Sequence, residues 1–194
     1  MRPERVPSAR SAAAAARSSS AWWVTSSPII VIGTPERKTT SAASGSAMML
    51  NSAEAVVFRS GVPITMIGLD VTHQALLDRA AASALRALGT HAGRIAADLT
   101  DYALDRNLEW SGATTTAIHD AVAVAHLMVP DLVAVARYHV AVDTTHGPAR
   151  GRTVCDGLPY RLRRDGRETN ADVGIVIDRE RFTRLLIDAF ARLP

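Results

Sequence analysis

The chain has 194 residues, 47% hydrophobic and 5% aromatic, a balance that supports one globular domain with or without a tail. Basic residues exceed acidic ones by 22 to 19, and this dispersed surplus, without an aromatic stacking platform, reads as a solvated surface rather than a nucleic-acid face. The one cysteine, Cys155, excludes an internal disulfide and fits a reducing cytoplasm, and no apolar run is long enough for a secretory core or a membrane span.

Residues 1–50 differ in composition from the rest of the chain. They are rich in Ala, Ser and Arg, with Glu4 and Glu36 as their acidic residues, and Ser8 to Ser20 is of low complexity. Such a stretch cannot bury enough apolar surface to offset the entropy of ordering it. Three origins stay open: a disordered tail, an organelle-targeting leader, and a misassigned start or disrupted frame. Pro28 to Gly33 is the exception, a short apolar run with the look of a buried strand, while Trp22 and Trp23 have no assignable role. The domain boundary is placed here, with a leader at 1–50 and a folded domain at 51–194.

Val62 to Leu69 is apolar and β-branched, bounded by Gly61 and Asp70, and reads as a buried parallel strand. Thr72 is positioned to cap a helix with Leu76, Leu77, Ala80 and Ala84 on one face, ended by Gly89. A second helix follows with Ile95, Leu99, Tyr102 and Leu108 at helical spacing, broken at Trp110-Ser111-Gly112. After a polar loop, a helix from Asp120 stops at Pro130. Ala136 to Val142 alternates as a strand with Tyr138, Val140 and Val142 on one side. Arg152 to Cys155 and Asp172 to Ile177 are further strands. Arg161, Arg163, Arg164 and Arg167 mark a solvated loop between them. Arg179 to Leu193 closes as an amphipathic helix with Phe182, Leu185, Leu186, Ala189 and Phe190 inward. Strands interleaved with helices mean an α/β fold with a mixed, mainly parallel sheet.

The chemistry concentrates at Ala117-Ile118-His119-Asp120-Ala121-Val122-Ala123-Val124-Ala125-His126-Leu127, where a His-Asp pair opens an apolar helix. From spacing alone, Asp120 reads as an N-cap carboxylate and His119 as a structural histidine at a helix entrance. The segment resembles the C-terminal signature of the nucleoside hydrolases, the inosine–uridine-preferring N-ribohydrolases. Gly61 to His73, Arg137-Tyr138-His139-Val140, Gly151-Arg152-Thr153-Val154 and Asn170-Ala171-Asp172-Val173 resemble further blocks of that family in its order, from about Val56 to Leu193.

The resemblance implies hydrolysis of a ribonucleoside to ribose and base in the cytoplasm. It also implies His119 as a proton donor at the leaving base, Asp120 as a ligand of a calcium ion, and a homo-oligomer. The family's N-terminal aspartate cluster, DxDxxxDD, has no counterpart, since no aspartate precedes Asp70, and its Glu-Phe-Asn segment is replaced by Ser44 to Leu50. The expectation is therefore the C-terminal part of a nucleoside hydrolase-like fold, with the first strand and metal-binding segment missing and activity weak or absent. The alternative is a non-catalytic remnant or binding subunit that associates through an incomplete sheet. Asp70 reads as a turn and capping residue, His73 as a packing or capping residue and His126 as core or boundary, while His139 and His146 have no ligand spacing with anything nearby. Tyr102 and Trp110 fit either base stacking or ordinary packing. No HExxH, CxxC pair, GxSxG or phosphate loop competes with this reading.

Overall fold

The computed structural model describes residues 56–194 together with the backbone of two short strands, β1 (Trp23–Ser26) and β2 (Ile29–Ile32). Ser8 to Ser20, Trp22 and the rest of 1–55 lie outside the described residues. Next along the chain come β3 (Ile64–Ile67), α1 (Leu69–Thr72), β4 (Leu76–Leu77), α2 (Arg79–Ala87) and α3 (His91–Ser111). They are followed by β5 (Thr116–Ala117), α4 (Asp120–Met128), a 3-10 turn at Pro130–Leu132, β6 (Val133–Val142) and β7 (Arg152–Asp156). The last elements are α5 (Pro159–Arg164), β8 (Ala171–Ile177) and α6 (Arg179–Ala191). The chain divides into a sheet unit, residues up to Val71 and Val133–Val176, and a helical unit, Thr72–Leu132 and Ile177–Pro194.

The sheet unit holds six strands in the order β1-β7-β6-β8-β3-β2. The sheet is mixed. β3 and β8 run parallel, while β1–β7, β6–β7 and β2–β3 are antiparallel, a larger antiparallel share than the alternation of strands and helices suggests. The strand expected over Val62–Leu69 is trimmed to Ile64–Ile67, because Pro63 offers no N–H to a ladder and Leu69 already starts α1. The expected alternation of β6 holds: Tyr138 and Val140 are buried and Val142 half-buried, while Arg137 is exposed. These side chains pack with Phe58, Ile64, Met66, Cys155 and Val173 in one apolar core.

Asn170 locks that core from its edge. Its carboxamide nitrogen donates to Phe58 O at 3.1 Å and Val140 O at 2.9 Å, and its oxygen accepts from Val140 N at 2.7 Å. Burial pushes the Cys155 thiol up to about 12, which keeps it protonated and unreactive at neutral pH. The arginine-rich stretch expected as a loop instead begins with a short helix, α5, because Pro159 at its start brings a preset helical φ. Asp165, held by Arg164 and Arg167, is lowered to about 2.

The helical unit departs from expectation at its entrance. Leu76 and Leu77 form β4 rather than the first turn of a helix, and the cap of α2 is Asp78, whose carboxylate accepts from Ala81 N at 3.0 Å. Asp78 wins because it stands directly before the helix-favouring run Arg79-Ala80-Ala81-Ala82, whereas the Thr72 hydroxyl is engaged elsewhere. Gly89, at φ +70°, follows the end of α2 as expected.

α3 buries Gly93, Ala97, Thr100 and Leu104, and leaves Ile95, Leu99, Tyr102 and Leu108 exposed. The stripe of larger apolar residues at helical spacing is therefore the outward one. Gly93 supplies the reason, since a Cβ there would lie 2.6 Å from the Leu85 carbonyl, so α2 and α3 meet backbone to backbone through small residues. Arginines of α2 lace the same hairpin: Arg79 pairs with Asp101 and Asp105, and Arg86 with Asp98 and Asp101. In α6, Phe182 is buried and Leu185, Leu186 and Phe190 half-buried as expected, whereas Ala189, on the same face, is exposed. Among the described residues no helix is long and apolar enough to cross a membrane.

The close approach at Gly93 reverses the usual effect of alanine in a helix. Gly93→Ala would add about 1 kcal/mol of helix propensity, but driving a methyl into the Leu85 carbonyl costs about 1–3 kcal/mol. Urea unfolding of Gly93→Ala is expected to give a lower midpoint than wild type, and a raised midpoint would contradict the packing described.

Candidate functional site

A two-residue ladder in the helical unit assembles the site. β4 and β5 pair antiparallel, Leu76 opposite Ala117 and Leu77 opposite Thr116. Ile118 N then donates to Ala75 O at 3.0 Å, which carries the pairing one rung further and delivers residue 119 beside residues 72 and 73. The ladder is braced on both strands. Arg179 Nε donates to Leu76 O at 2.9 Å, and Asn107 Nδ2 donates to Thr115 O at 3.0 Å. The Gln74 side-chain oxygen accepts from Ile177 N at 3.4 Å.

At the end of the ladder, Nδ1 of His119 and Oγ1 of Thr72 share a hydrogen bond of 2.8 Å. The His73 and His119 rings lie edge to face, with centroids 5.3 Å apart at 63°. Thr72 is fully buried, His119 half-buried and His73 exposed. His119 stands at the N-cap position of α4 but makes no side-chain capping bond, which leaves its ring for Thr72. Asp120 is the first helical residue and exposed, so the spacing-based reading of Asp120 as N-cap is corrected by one position. A carboxylate in the first turn still suits the helix dipole. Behind this pair Val122, Ala123 and Ala125 are buried, so the polar end rides on an anchored apolar helix that stops before Pro130 as expected.

The electrostatics favour a neutral imidazole. Burial holds His119 below the ordinary histidine value, the neighbouring His73 lowers it further, and the Asp120 carboxylate pulls the other way. Asp70 lies in the first turn of α1, and His126 is half-buried in the body of α4. His139 Nδ1 is bound to Glu168 O at 2.7 Å, and His146 is exposed. Tyr102 and Trp110 are exposed on α3, the latter with the Arg106 guanidinium 4.2 Å from its ring centroid.

Thr72 and His73 join the site although the sequence marks one as a helix cap and the other as a packing or capping residue. The one available signal was that both fall in the same block as Asp70, which matched the family pattern; nothing in their spacing points 47 residues ahead to His119. Among the described residues no group of three or more His, Cys, Asp or Glu side chains is placed to hold a metal ion.

A family model described as inosine-uridine preferring nucleoside hydrolase matches residues 51–184. The chain belongs to the nucleoside hydrolase family. It is 36% identical over 134 residues to the pyrimidine-specific ribonucleoside hydrolase RihB of Shigella flexneri serotype 5b, covering 69% of this chain and 42% of that protein. Its structure is similar to that of a purine-preferring ribonucleoside hydrolase from Gardnerella vaginalis, at 36% identity and a TM-score of 0.61, over 72% of this chain and 43% of that one. A plant nucleoside hydrolase, PpNRh1, shares the fold at 19% identity with a TM-score of 0.61, over 72% of this chain and 45% of that one. The chain thus spans less than half the length of these relatives, and the His119-Asp120 pair lies inside the matched region.

The causes of the His119 shift can be separated by substitution. In a pH titration followed by NMR, His119 is expected to change protonation below an ordinary exposed histidine. His73→Gln, which removes a neighbouring positive charge, should move that midpoint up, and Asp120→Asn, which removes a negative one, should move it down. Shifts of the opposite sign would contradict the geometry.

Proposed function

We propose that this chain carries the proton-donor end of a ribonucleoside hydrolase site, acting on nucleoside and water to give ribose and free base. The observation behind this reading is the adjacent His119-Asp120 pair at the mouth of α4, in a chain that matches the family over 51–184. Breaking the N-glycosidic bond leaves an electron-poor ribosyl carbon and an electron-rich base. His119 would transfer a proton to a nitrogen of the leaving base, which departs with the bonding electron pair, while water adds to the ribosyl carbon and loses a proton. General acid assistance of this kind is worth about 10²–10⁴-fold. A neutral resting His119 must first take up a proton, so the donor role is strongest on the acid side of neutrality.

The family resemblance assigns Asp120 to a calcium ion, which prefers six to eight oxygen ligands. The described residues do not fit that ion by themselves, since Asp120 has no cluster of further carboxylates around it among them. Asp120 would supply one ligand of such a set. Base preference is not inherited through identity, because relatives named pyrimidine-specific and purine-preferring are each 36% identical to this chain.

A second reading, a non-catalytic binding subunit, is favoured by the apolar residues left uncovered on α3 and α4, among them Leu99, Tyr102, Leu127 and Met128. In that reading a partner covers them and no turnover occurs.

Ribose release from inosine, uridine and cytidine, measured with calcium and with chelator, separates the two. Release that is weak, calcium-dependent, lower still in His119→Ala and lost in Asp120→Ala is the expected result. A folded chain that releases no ribose under any condition would overturn the hydrolase reading and leave the binding subunit.

A further inference from the structure

We propose that Thr72 is the positioning residue of His119: its Oγ1 accepts a hydrogen bond from Nδ1–H and so reserves Nε2 as the nitrogen that exchanges a proton with substrate. The inference deepens the proposed function and rests on its assignment of His119, but it stands on geometry of its own. Oγ1 and Nδ1 are 2.8 Å apart, and Thr72 is fully buried while the imidazole is only partly so. The buried partner therefore sets the orientation of the ring, not the reverse. The backbone rung from Ile118 N to Ala75 O holds the two residues in register, so the contact does not depend on a mobile loop.

The direction of the bond follows from the place of Thr72 in the chain. It is the last residue of the helical turn Leu69–Thr72. A threonine in a helical turn commonly hands its hydroxyl proton to a carbonyl three or four residues back, which leaves the oxygen lone pairs to accept from Nδ1–H. A ring that keeps its Nδ1 proton can give and take a proton only at Nε2. The Nε2 proton leaves with no electrons, the Nε2 lone pair stays on the ring, and Nδ1–H···Oγ1 persists before and after.

A carboxylate in the place of Thr72 would hold the same tautomer but also stabilise the charged ring. A neutral hydroxyl fixes the tautomer with little such bias. This is the property wanted in a group that must release its proton.

The test is direct observation of the imidazole nitrogens by 15N NMR on the full chain, at a pH where His119 is neutral, in wild type, Thr72→Ser and Thr72→Val. Wild type and Thr72→Ser are expected to show the proton on Nδ1 and a bare Nε2. Thr72→Val keeps the shape but not the oxygen, and should return to the Nε2–H form that an unconstrained neutral histidine prefers. A wild-type His119 protonated on Nε2 would overturn the proposal whether or not the valine variant folds, and so would a folded Thr72→Val that retains Nδ1–H. Turnover does not enter this readout. Loss of ribose release with the expected tautomers would overturn the proposed function and leave the Thr72–His119 pairing intact.

Discussion

The β4–β5 ladder is the constraint on which the site depends. Two residues per strand are far too few to hold a pair of strands together in water, and even a complete isolated hairpin is marginal. The ladder persists because its ends are tied to larger elements of the helical unit. Arg179 reaches Leu76 from the start of α6, Asn107 reaches Thr115 from within α3, and Leu77 and Thr116 are themselves buried. Backbone pairing then converts that packing into position. Once Leu76 is opposite Ala117, residue 119 has little choice but to lie beside 72 and 73. The closure cost of joining residues 47 apart grows only with the logarithm of the separation, so the distance in sequence is no obstacle.

The hairpin of α2 and α3 supplies the mass behind that ladder, and its packing logic is unusual in one respect. Its contact face is built from Ala81, Ala82, Gly93 and Ala97, with Leu85 and Leu104 as the larger members. Small residues let the backbones approach, at the cost of apolar area buried per residue. The ion pairs of Arg79 and Arg86 run along the same seam, but they are exposed and screened by salt, so they set the rotation of one helix on the other rather than its stability. Apart from Leu104, the larger apolar residues of α3 are left outside. That outward face is the physical opening for a binding role, because four exposed side chains, Ile95, Leu99, Tyr102 and Leu108, recur along one helix instead of being scattered singly.

The polar end of α4 shows how one short segment can serve packing and chemistry together. Val122, Ala123 and Ala125 are buried and immobilise the helix, while His119 and Asp120 sit at its start, where negative charge is favoured. His119 lies between opposed influences: its own burial and the neighbouring His73 lower its proton affinity, and the charge of Asp120 raises it.

The sequence disclosed what periodicity and local chemistry control. β6 with its buried Tyr138 and Val140, the stop of α4 before Pro130, the glycine after α2, and the His-Asp pair at a helix mouth all rest on residues within one or two turns of each other. It misled where a distant partner decides. The α3 stripe of Ile95, Leu99 and Tyr102 has a sound helical period, yet burial went to the small face, because the missing Cβ of Gly93 allows an approach that Leu99 would block. Leu76 and Leu77 fit a helix until residues 116–117 offer them a strand. Thr72 is the sharpest case. By local rules it is a helix cap, and its hydroxyl would serve equally well in that role; only a histidine 47 residues later, brought back by a two-rung ladder, makes it part of a site. Residues of this kind carry no local signature, since the property that matters is the geometry between two segments and neither segment contains it.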